Sequence, residues 1–211
     1  MEIRPALASD TSTIAGILAE GLGDKYGPAF GRHAVRALTA IVRASAGAWP
    51  GGYRVAVDDD GRAVGVAFLG LDGPGAPVFG PISREVGVVT AIRASVVLLA
   101  FAKGRVEADE AHIDELAVSP DARRRGVASA LLVECCEAAE TSGMRRVSLW
   151  VTGDNTAARA LCLQSCRILP AHVPRARRVA RAADIPPLRR RQVSLLRLDK
   201  WPKGGVQPGR D

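Results

Sequence analysis

The chain has 211 residues and a mass of 22.2 kDa, with 47% apolar and 24% charged residues. This composition is typical of one globular domain and excludes wholesale disorder. No apolar run reaches the roughly 18 residues of a membrane-spanning helix, and residues 1–6 lack the layout of a signal peptide. Four cysteines in a chain of this size do not form a disulfide framework, so we expect a cytoplasmic protein with reduced thiols.

The net charge of +7 is concentrated towards the C-terminal end. Residues 171–203 contain ten basic and two acidic residues, and the rest of the chain sums to −1. Such a segment is typical of a solvated basic loop, an anion-binding loop or a nucleic-acid-binding segment. Because Ile185-Pro186-Pro187 breaks it and no aromatic residue precedes Trp201, the first interpretation is favoured and a nucleic-acid partner is not expected.

The hydrophobic pattern of the first third of the chain predicts a strand, two helices and a β-hairpin. Residues 2–4 form the strand, and Ala8-Ser9-Asp10 caps a helix that ends in the glycine-rich stretch 21–31. A second amphipathic helix starts near Val35 and stops near Gly47. The hairpin consists of strands at 53–57 and 63–70, joined by a turn at Asp60-Gly61.

The remaining pattern alternates helices and strands. Residues 72–81 are rich in proline and glycine and predict a loop, which a helix at 85–103 follows. A strand at 111–118 leads into the best amphipathic helix, 125–141, with Val127, Leu131, Cys135 and Ala138 in its apolar stripe. The pattern ends with a strand at 146–151, a helix from about 154 to 166 and a strand at 193–198.

This order of elements predicts a single α/β domain built around one mixed sheet. We place the domain at 1–200, with a loop–helix insertion at 72–110, a basic loop at 171–192 and a flexible tail at 203–211.

The turn between the 111–118 strand and the helix after it has the features of a phosphate-binding site. The first turn of a helix leaves backbone N–H groups unpaired and carries a partial positive charge. Gly126 and Ala128 keep side-chain bulk away from these amides. Arg123, Arg124 and Arg125 add positive potential. A tight turn with a surface arginine cluster is the alternative interpretation.

The run Arg123-x-x-Gly126-x-Ala128 matches the Q/R-x-x-G-x-G/A signature of the GCN5-related N-acetyltransferases (GNATs). The strand that precedes it, ending at Ser119-Pro120, also resembles the strand before this signature in the family. The chain therefore resembles this family over residues 2–166, most specifically over 112–162. The resemblance implies the GNAT fold, a mixed and mostly antiparallel sheet flanked by helices, with a V-shaped splay between the 111–118 and 146–151 strands. It also implies an acetyl-CoA-dependent N-acetyltransferase that acts on a primary amine of a small molecule or peptide, without a metal.

The resemblance assigns acetyl-CoA mostly to main-chain groups. The backbone at 116–118 would pair with the pantetheine arm and polarise the thioester carbonyl, and amides at 124–129 would hold the diphosphate. Asn155 matches a residue that often contacts the cofactor arm. The implied cofactor-binding residues are Leu116, Ala117, Val118, Arg123, Arg124, Arg125, Gly126, Val127, Ala128, Ser129 and Asn155.

His112 and Asp114 match positions where family members often place the base that deprotonates the acceptor amine. Strand alternation puts these two side chains on the face of Leu116 and puts Glu115 on the opposite face. A strand-edge His–Asp pair without a catalytic role is the alternative interpretation.

The chain departs from the family where a tyrosine protonates the departing thiolate, because Cys162 stands at that position and Cys166-Arg167 replace a Gly-Phe pair. A thiol has a reference pKa of about 8.5, close to that of the leaving group. Cys162 is therefore either the general acid or a cysteine packed in the core. The departure leaves open a second function, a catalytically weak or inactive acyl-CoA-binding regulatory protein. The sequence is compatible with a monomer and with a homodimer.

Overall fold

The computed structural model describes residues 1–45, 52–71, 78–99, 109–152, 155–158, 160–161 and 190–197. Its strands are β1 (Glu2–Pro5), β2 (Gly52–Val57), β3 (Ala63–Gly70), β4 (Glu110–Val118), β5 (Arg146–Thr152) and β6 (Arg190–Arg197). They form one sheet in the order β1-β2-β3-β4-β5-β6. Neighbouring strands are antiparallel except for β4 and β5, which are parallel. The predicted mixed, mostly antiparallel sheet is confirmed.

Helices cover both faces of the sheet. On one face lie α1 (Thr11–Gly21), α2 (Gly23–Phe30), α3 (Ala34–Ser45), α4 (Phe79–Val86) and α5 (Val88–Leu99). On the other face lies α6 (Val127–Thr141). Each layer buries one side of its helices, as amphipathic patterns predict. The predicted stripe of α6 is confirmed, since Val127, Leu131, Cys135 and Ala138 are buried against the sheet.

The glycine-rich stretch after α1 is helical, so the prediction that residues 21–31 only interrupt two helices is wrong. α2 forms there although Gly27 and Pro28 are poor helix formers. Its Tyr26, Ala29 and Phe30 are buried in the core under the N-terminal helices. Packing of this apolar side therefore outweighs the low local propensity.

The predicted boundaries of the 72–110 insertion are also partly wrong. α4 begins at Phe79, inside the predicted loop, and Gly87, with φ +83°, separates α4 from α5 where one helix was predicted. The helix α4 packs against α3 and α5 packs against α2, so the insertion extends the N-terminal helical layer. No helix within the described ranges has the length and apolar character needed to cross a bilayer.

The strand β6 begins at Arg190, so the predicted 171–192 loop is wrong over its last three residues. The remainder of that loop and the predicted 203–211 tail lie outside the described residues.

Two glycines let helices approach the sheet closely beside the β4 strand. A Cβ atom on Gly21 would lie 2.8 Å from the Cβ of Ala117 in β4. A Cβ atom on Gly65 in β3 would lie 2.7 Å from Cγ1 of Val127, the first residue of α6. Both distances are shorter than real contacts, so glycine at these positions fixes how near α1 and α6 come to the second half of β4.

Candidate active site

The strands β4 and β5 separate halfway along their length and form a fork. Their parallel pairing runs from Glu110–Arg146 to Ile113–Leu149 and then stops. β4 continues for five residues, to Val118, and stays paired with β3 as far as Gly65–Val118. The predicted splay between the two strands is confirmed. Beyond Ile113, β5 no longer occupies the outer edge of β4.

A β-bulge in β4 lies at the point of this fork. On β3 the neighbours Phe68 and Leu69 face Glu115 and Ile113, so Asp114 is the extra residue of β4. Such a bulge shifts the alternation of side chains along the strand. Ile113 and Leu116 consequently both pack on the α6 side of the sheet.

The shifted alternation makes the predicted side-chain faces wrong, and one error is that Leu116 lies on the α6 side and not on the face of His112. Glu115 does not lie opposite His112, since it bonds to Tyr53 in the core on the α1–α5 side. His112 also lies on that side, because its neighbours Ala111 and Ile113 belong to the α6 side. The bulge therefore brings both residues to the same face of the sheet.

The turn between β4 and α6 holds two left-handed residues. Arg124 has φ +62°, which is uncommon for a residue with a side chain, and Gly126 has φ +81° and is the N-cap of α6. The Arg123 Nε atom donates a hydrogen bond to the carbonyl oxygen of Val118, 3.2 Å away, and closes the turn. Backbone strain of this kind is concentrated at ligand-binding sites.

The first turn of α6 is open to a ligand. Gly126 and the arginines at 123–125 are exposed, and a Cβ atom on Gly126 would meet nothing within 4 Å. Among the described residues, no side chain accepts a hydrogen bond from the amides of Val127, Ala128 or Ser129. The structure thus leaves unpaired N–H groups and open space at the predicted phosphate-binding turn.

His112 lies in a buried polar cluster at the base of the fork. Its Nδ1 atom is 2.8 Å from the hydroxyl of Ser148 on β5, and that hydroxyl donates a hydrogen bond to Glu110. The Nε2 atom of His112 lies 3.8 Å from a carboxylate oxygen of Asp114. The predicted pair is therefore adjacent, with Asp114 31% exposed and His112 only 2% exposed.

Glu115 forms a second buried cluster beside the fork. Tyr53 donates a hydrogen bond to Glu115 Oε2 over 2.9 Å, and Lys25 Nζ on α2 lies 3.5 Å from Oε1. Burial raises the pKa of the Glu115 carboxyl, and the Lys25 ammonium opposes this shift. Burial also raises the pKa of Tyr53, so its hydroxyl stays protonated as the donor.

Sequence reasoning missed four members of these two clusters. The weak signal in the sequence was a polar residue within an otherwise apolar strand, as in Val147-Ser148-Leu149. The family resemblance implied which strands are neighbours but not their register, so the partners of each polar residue were not predictable. The missed residues are Lys25, Tyr53, Glu110 and Ser148.

Asn155 and Cys162 complete the predicted site residues. Asn155 is exposed just beyond β5, and its Oδ1 atom accepts a hydrogen bond from the Ala158 amide over 2.9 Å. It thereby caps the short helix that starts at residue 156. Cys162 lies outside the described residues.

Comparison with known proteins agrees with this geometry. A profile of the acetyltransferase (GNAT) family matches residues 18–166. Among curated proteins, no sequence matches the chain.

Many solved structures share the fold. An N-acetyltransferase from Staphylococcus aureus Mu50 is 14% identical, with a TM-score of 0.62 over 92% of this chain and 100% of that chain. A histone acetyltransferase HPA2 and related acetyltransferase from Corynebacterium glutamicum ATCC 13032 is 22% identical, with a TM-score of 0.52 over 90% and 94%. A GCN5-related N-acetyltransferase from Kribbella flavida is 23% identical, with a TM-score of 0.50 over 76% and 77%. At these identities the likeness establishes the fold.

Proposed function

Since the chain belongs to the GNAT family of acetyltransferases, we propose that it transfers the acetyl group of acetyl-CoA to a primary amine. The observation that carries this proposal is the coincidence of two features at one end of β4. There β4 diverges from β5, and there the open first turn of α6 begins. An extended edge next to unpaired amides suits a long ligand with a diphosphate.

The residues present fit acetyl-CoA. The diphosphate would occupy the open space at Gly126 and accept hydrogen bonds from the amides of Val127, Ala128 and Ser129. The three exposed arginines at 123–125 would add positive potential around it. The pantetheine arm would lie along the 116–118 edge of β4, and Asn155 would contact the arm with its side-chain NH₂ group.

Acetyl-CoA, when bound, supplies an acetyl group activated as a thioester. A main-chain N–H group at 116–118 would polarise the carbonyl of that group. The acceptor amine must lose a proton before it attacks, because an ammonium group has no lone pair. We assign the uptake of this proton to Asp114 and His112, which lie together where the strands diverge.

Glu115 is less suited to this role although it is close to the fork. Both of its carboxylate oxygens are engaged, one by Tyr53 and the other by Lys25, and the side chain is 7% exposed. We therefore assign Glu115 to holding α2 against β4.

The departing thiolate needs a proton, and we propose Cys162 as its donor. The cysteine in place of the family's tyrosine also favours a second candidate function. In that alternative the protein binds acyl-CoA and acts as a regulatory protein with little or no turnover.

The acceptor class remains a small molecule or a peptide with a primary amine. Carboxylates at Glu110, Asp114 and Glu115 lie near the fork and favour a cationic acceptor, whereas Lys25 opposes it. The cytoplasmic location and the choice between monomer and homodimer stay predictions.

Release of free thiol from acetyl-CoA, measured with polyamines, aminoglycosides, amino acids and peptides, tests the enzyme proposal. We expect release that depends on one class of amine. Stabilisation of the protein by CoA without release for any amine would support the regulatory alternative instead.

A pair of glycine variants tests the location of the cofactor. Gly126 and Gly61 have similar φ angles, +81° and +78°, and a Cβ atom at either position would meet nothing within 4 Å. Gly126→Leu and Gly61→Leu should therefore carry a similar backbone cost, but only the first places bulk at the α6 amides. We expect CoA affinity, measured by calorimetry, to fall at least about tenfold for Gly126→Leu alone, a loss of about 1.4 kcal/mol. Equal affinities for the two variants would show that the diphosphate lies elsewhere.

A further inference from the structure

Three side chains link into a buried chain of hydrogen bonds below the fork. Glu110 and His112 lie on β4 and Ser148 lies on β5, at the registers where the two strands still pair. Glu110, His112 and Ser148 are 7%, 2% and 0% exposed. Buried polar groups of this kind are costly unless they are hydrogen-bonded, so the geometry of this hydrogen-bonded series is strongly constrained.

The number of protons available to these three side chains determines which ring nitrogen of His112 carries hydrogen. The Ser148 hydroxyl has one proton and donates it to Glu110 Oε1. The Ser148 hydroxyl oxygen lies 2.8 Å from His112 Nδ1, and because its proton is used it can only accept a hydrogen bond from that nitrogen. Nδ1 is therefore the protonated nitrogen in both the neutral and the charged imidazole, and Nε2 is the nitrogen that gains and loses a proton.

Asp114 is the residue next to the Nε2 atom of His112 on the side of the fork. The distance of 3.8 Å between Nε2 and Asp114 Oδ1 is too long for a direct hydrogen bond but close enough for an ion pair with the imidazolium. Because Asp114 is the bulged residue and a third of its side chain is exposed, it lies between the buried imidazole and the open end of the strands.

We propose that Glu110 and Ser148 are positioning residues that hold the proton of His112 on Nδ1, so that Nε2 receives the proton released by the acceptor amine. The assignment of the tautomer rests on the hydrogen bonds alone, and only its use in catalysis rests on the proposed function.

The proton balance of this step is simple. One N–H bond of the acceptor ammonium breaks and the nitrogen keeps the electron pair, which it then uses to attack the thioester. The proton passes through Asp114 to the lone pair of Nε2, where a new N–H bond forms. The imidazolium pairs with Asp114 until it releases the proton to solvent.

Nuclear magnetic resonance tests the tautomer without any turnover. The chain has three histidines, His33, His112 and His172, so long-range ¹H–¹⁵N spectra of the imidazoles are simple and His112→Gln identifies the relevant signals. At a pH where the His112 imidazole is neutral, we expect the spectral pattern of a proton on Nδ1. A proton on Nε2 in the wild-type protein would overturn the proposal, because it would mean that the hydrogen bonds run in the opposite direction.

Serine variants test the positioning role. Ser148→Ala removes the acceptor of the Nδ1 proton and should give a mixture of tautomers, whereas Ser148→Thr keeps a hydroxyl and should restore the wild-type spectrum. Ser45→Ala is a matched control, since Ser45 is also buried but lies at the end of α3. An unchanged tautomer in Ser148→Ala would overturn the proposal.

Steady-state kinetics of the active protein distinguish a positioning role of Ser148 from a purely structural one. We expect Ser148→Ala to lower kcat about tenfold with little change in KM for acetyl-CoA, and Ser148→Thr to recover most of the loss. Equal kcat values for Ser148→Ala and Ser45→Ala would overturn the catalytic part. Failure of the proposed function would appear differently, as absence of transfer in the wild-type protein with the Nδ1 tautomer still present.

Discussion

The two faces of the sheet bury different kinds of side chain. The α6 face is mostly aliphatic, with Leu131, Leu132 and Cys135 fully or almost fully buried. Burial raises the pKa of the Cys135 thiol to about 12, so this cysteine is an inert core residue. The α1–α5 face also has an apolar core, but at the fork it buries two clusters of ionisable groups around His112 and Glu115.

The difference teaches where stability and chemistry reside in this domain. The buried charge of the α6 face, Arg54, lies 3.6 Å from Glu134 on the side of the helix away from the fork. The polar clusters of the other face lie where β4 leaves β5, and they carry the desolvation cost that functional sites commonly bear. Variants on the α6 face should therefore change mainly stability, variants of the His112 cluster should change mainly activity, and variants of the Glu115 cluster should change stability in a pH-dependent way.

The largest expected effect is a loss of stability on the α6 face. Leu132→Ala removes a side chain that is 2% exposed and leaves a cavity under α6. We expect the free energy of unfolding, measured with urea, to fall by about 3 kcal/mol. Val89→Ala on α5 is the control, since Val89 is 83% exposed and its truncation should cost less than about 0.5 kcal/mol. A loss below about 1 kcal/mol for Leu132→Ala would show that burial under α6 contributes little to stability.

The next effect is a loss of activity at the fork. Asp114→Asn keeps the size of the side chain but removes the charge that pairs with Nε2 of His112. We expect kcat/KM for acetyl transfer to fall about 100-fold, while the urea midpoint changes little. Asp60→Asn, at the exposed hairpin turn, provides a control for loss of one carboxylate. Similar kcat/KM values for the two variants would remove Asp114 from the proton path.

The smallest effect concerns Lys25 and depends on pH. Lys25→Met leaves the buried carboxylate of Glu115 without its ammonium, and the free energy of unfolding should fall by about 1–2 kcal/mol at neutral pH. The double variant Lys25→Met/Glu115→Gln has no such charge and should regain most of this loss.

The sign of the pH dependence follows from the raised pKa of Glu115. Protons bind this carboxyl more tightly in the folded protein, so its contribution to stability is fully present below the unfolded pKa and is lost as the pH rises through the folded pKa. Lys25→Met should raise this pKa further and cost more stability at pH 8 than at pH 5. A cost that is equal at both pH values would mean that Lys25 does not influence proton binding by Glu115 in the folded protein.

The sequence predicted the motif turn well because its signals are local. Gly126 after three arginines, an apolar strand before it and a periodic helix after it all act within about 30 residues, and the structure has each element in place. The helix α2 was missed for the same reason, since local propensity favours a break at Gly27 and Pro28 whereas burial of Tyr26 and Phe30 favours a helix.

The polar clusters could not be predicted from local sequence patterns, because their members are far apart in the sequence. Tyr53 and Glu115 are 62 residues apart in sequence, and His112 and Ser148 are 36 apart. The face on which Glu115 lies depends on a single extra residue in the pairing of β4 with β3. Such a bulge is set by the register between two strands, and no periodicity within one strand reveals it.

The amino-acid sequence by itself determined the order of elements, the apolar stripe of α6 and the glycine that opens the helix, because these depend on neighbouring residues and on the periods of helix and strand. The family resemblance implied that the strands β4 and β5 splay. The tertiary structure alone decided that they part after Ile113, that Asp114 is bulged at that point, and that Ser148 bonds to both His112 and Glu110. The physical reason is that strand register and the pairing of buried polar groups follow from contacts between distant segments, which exist only once the sheet has formed.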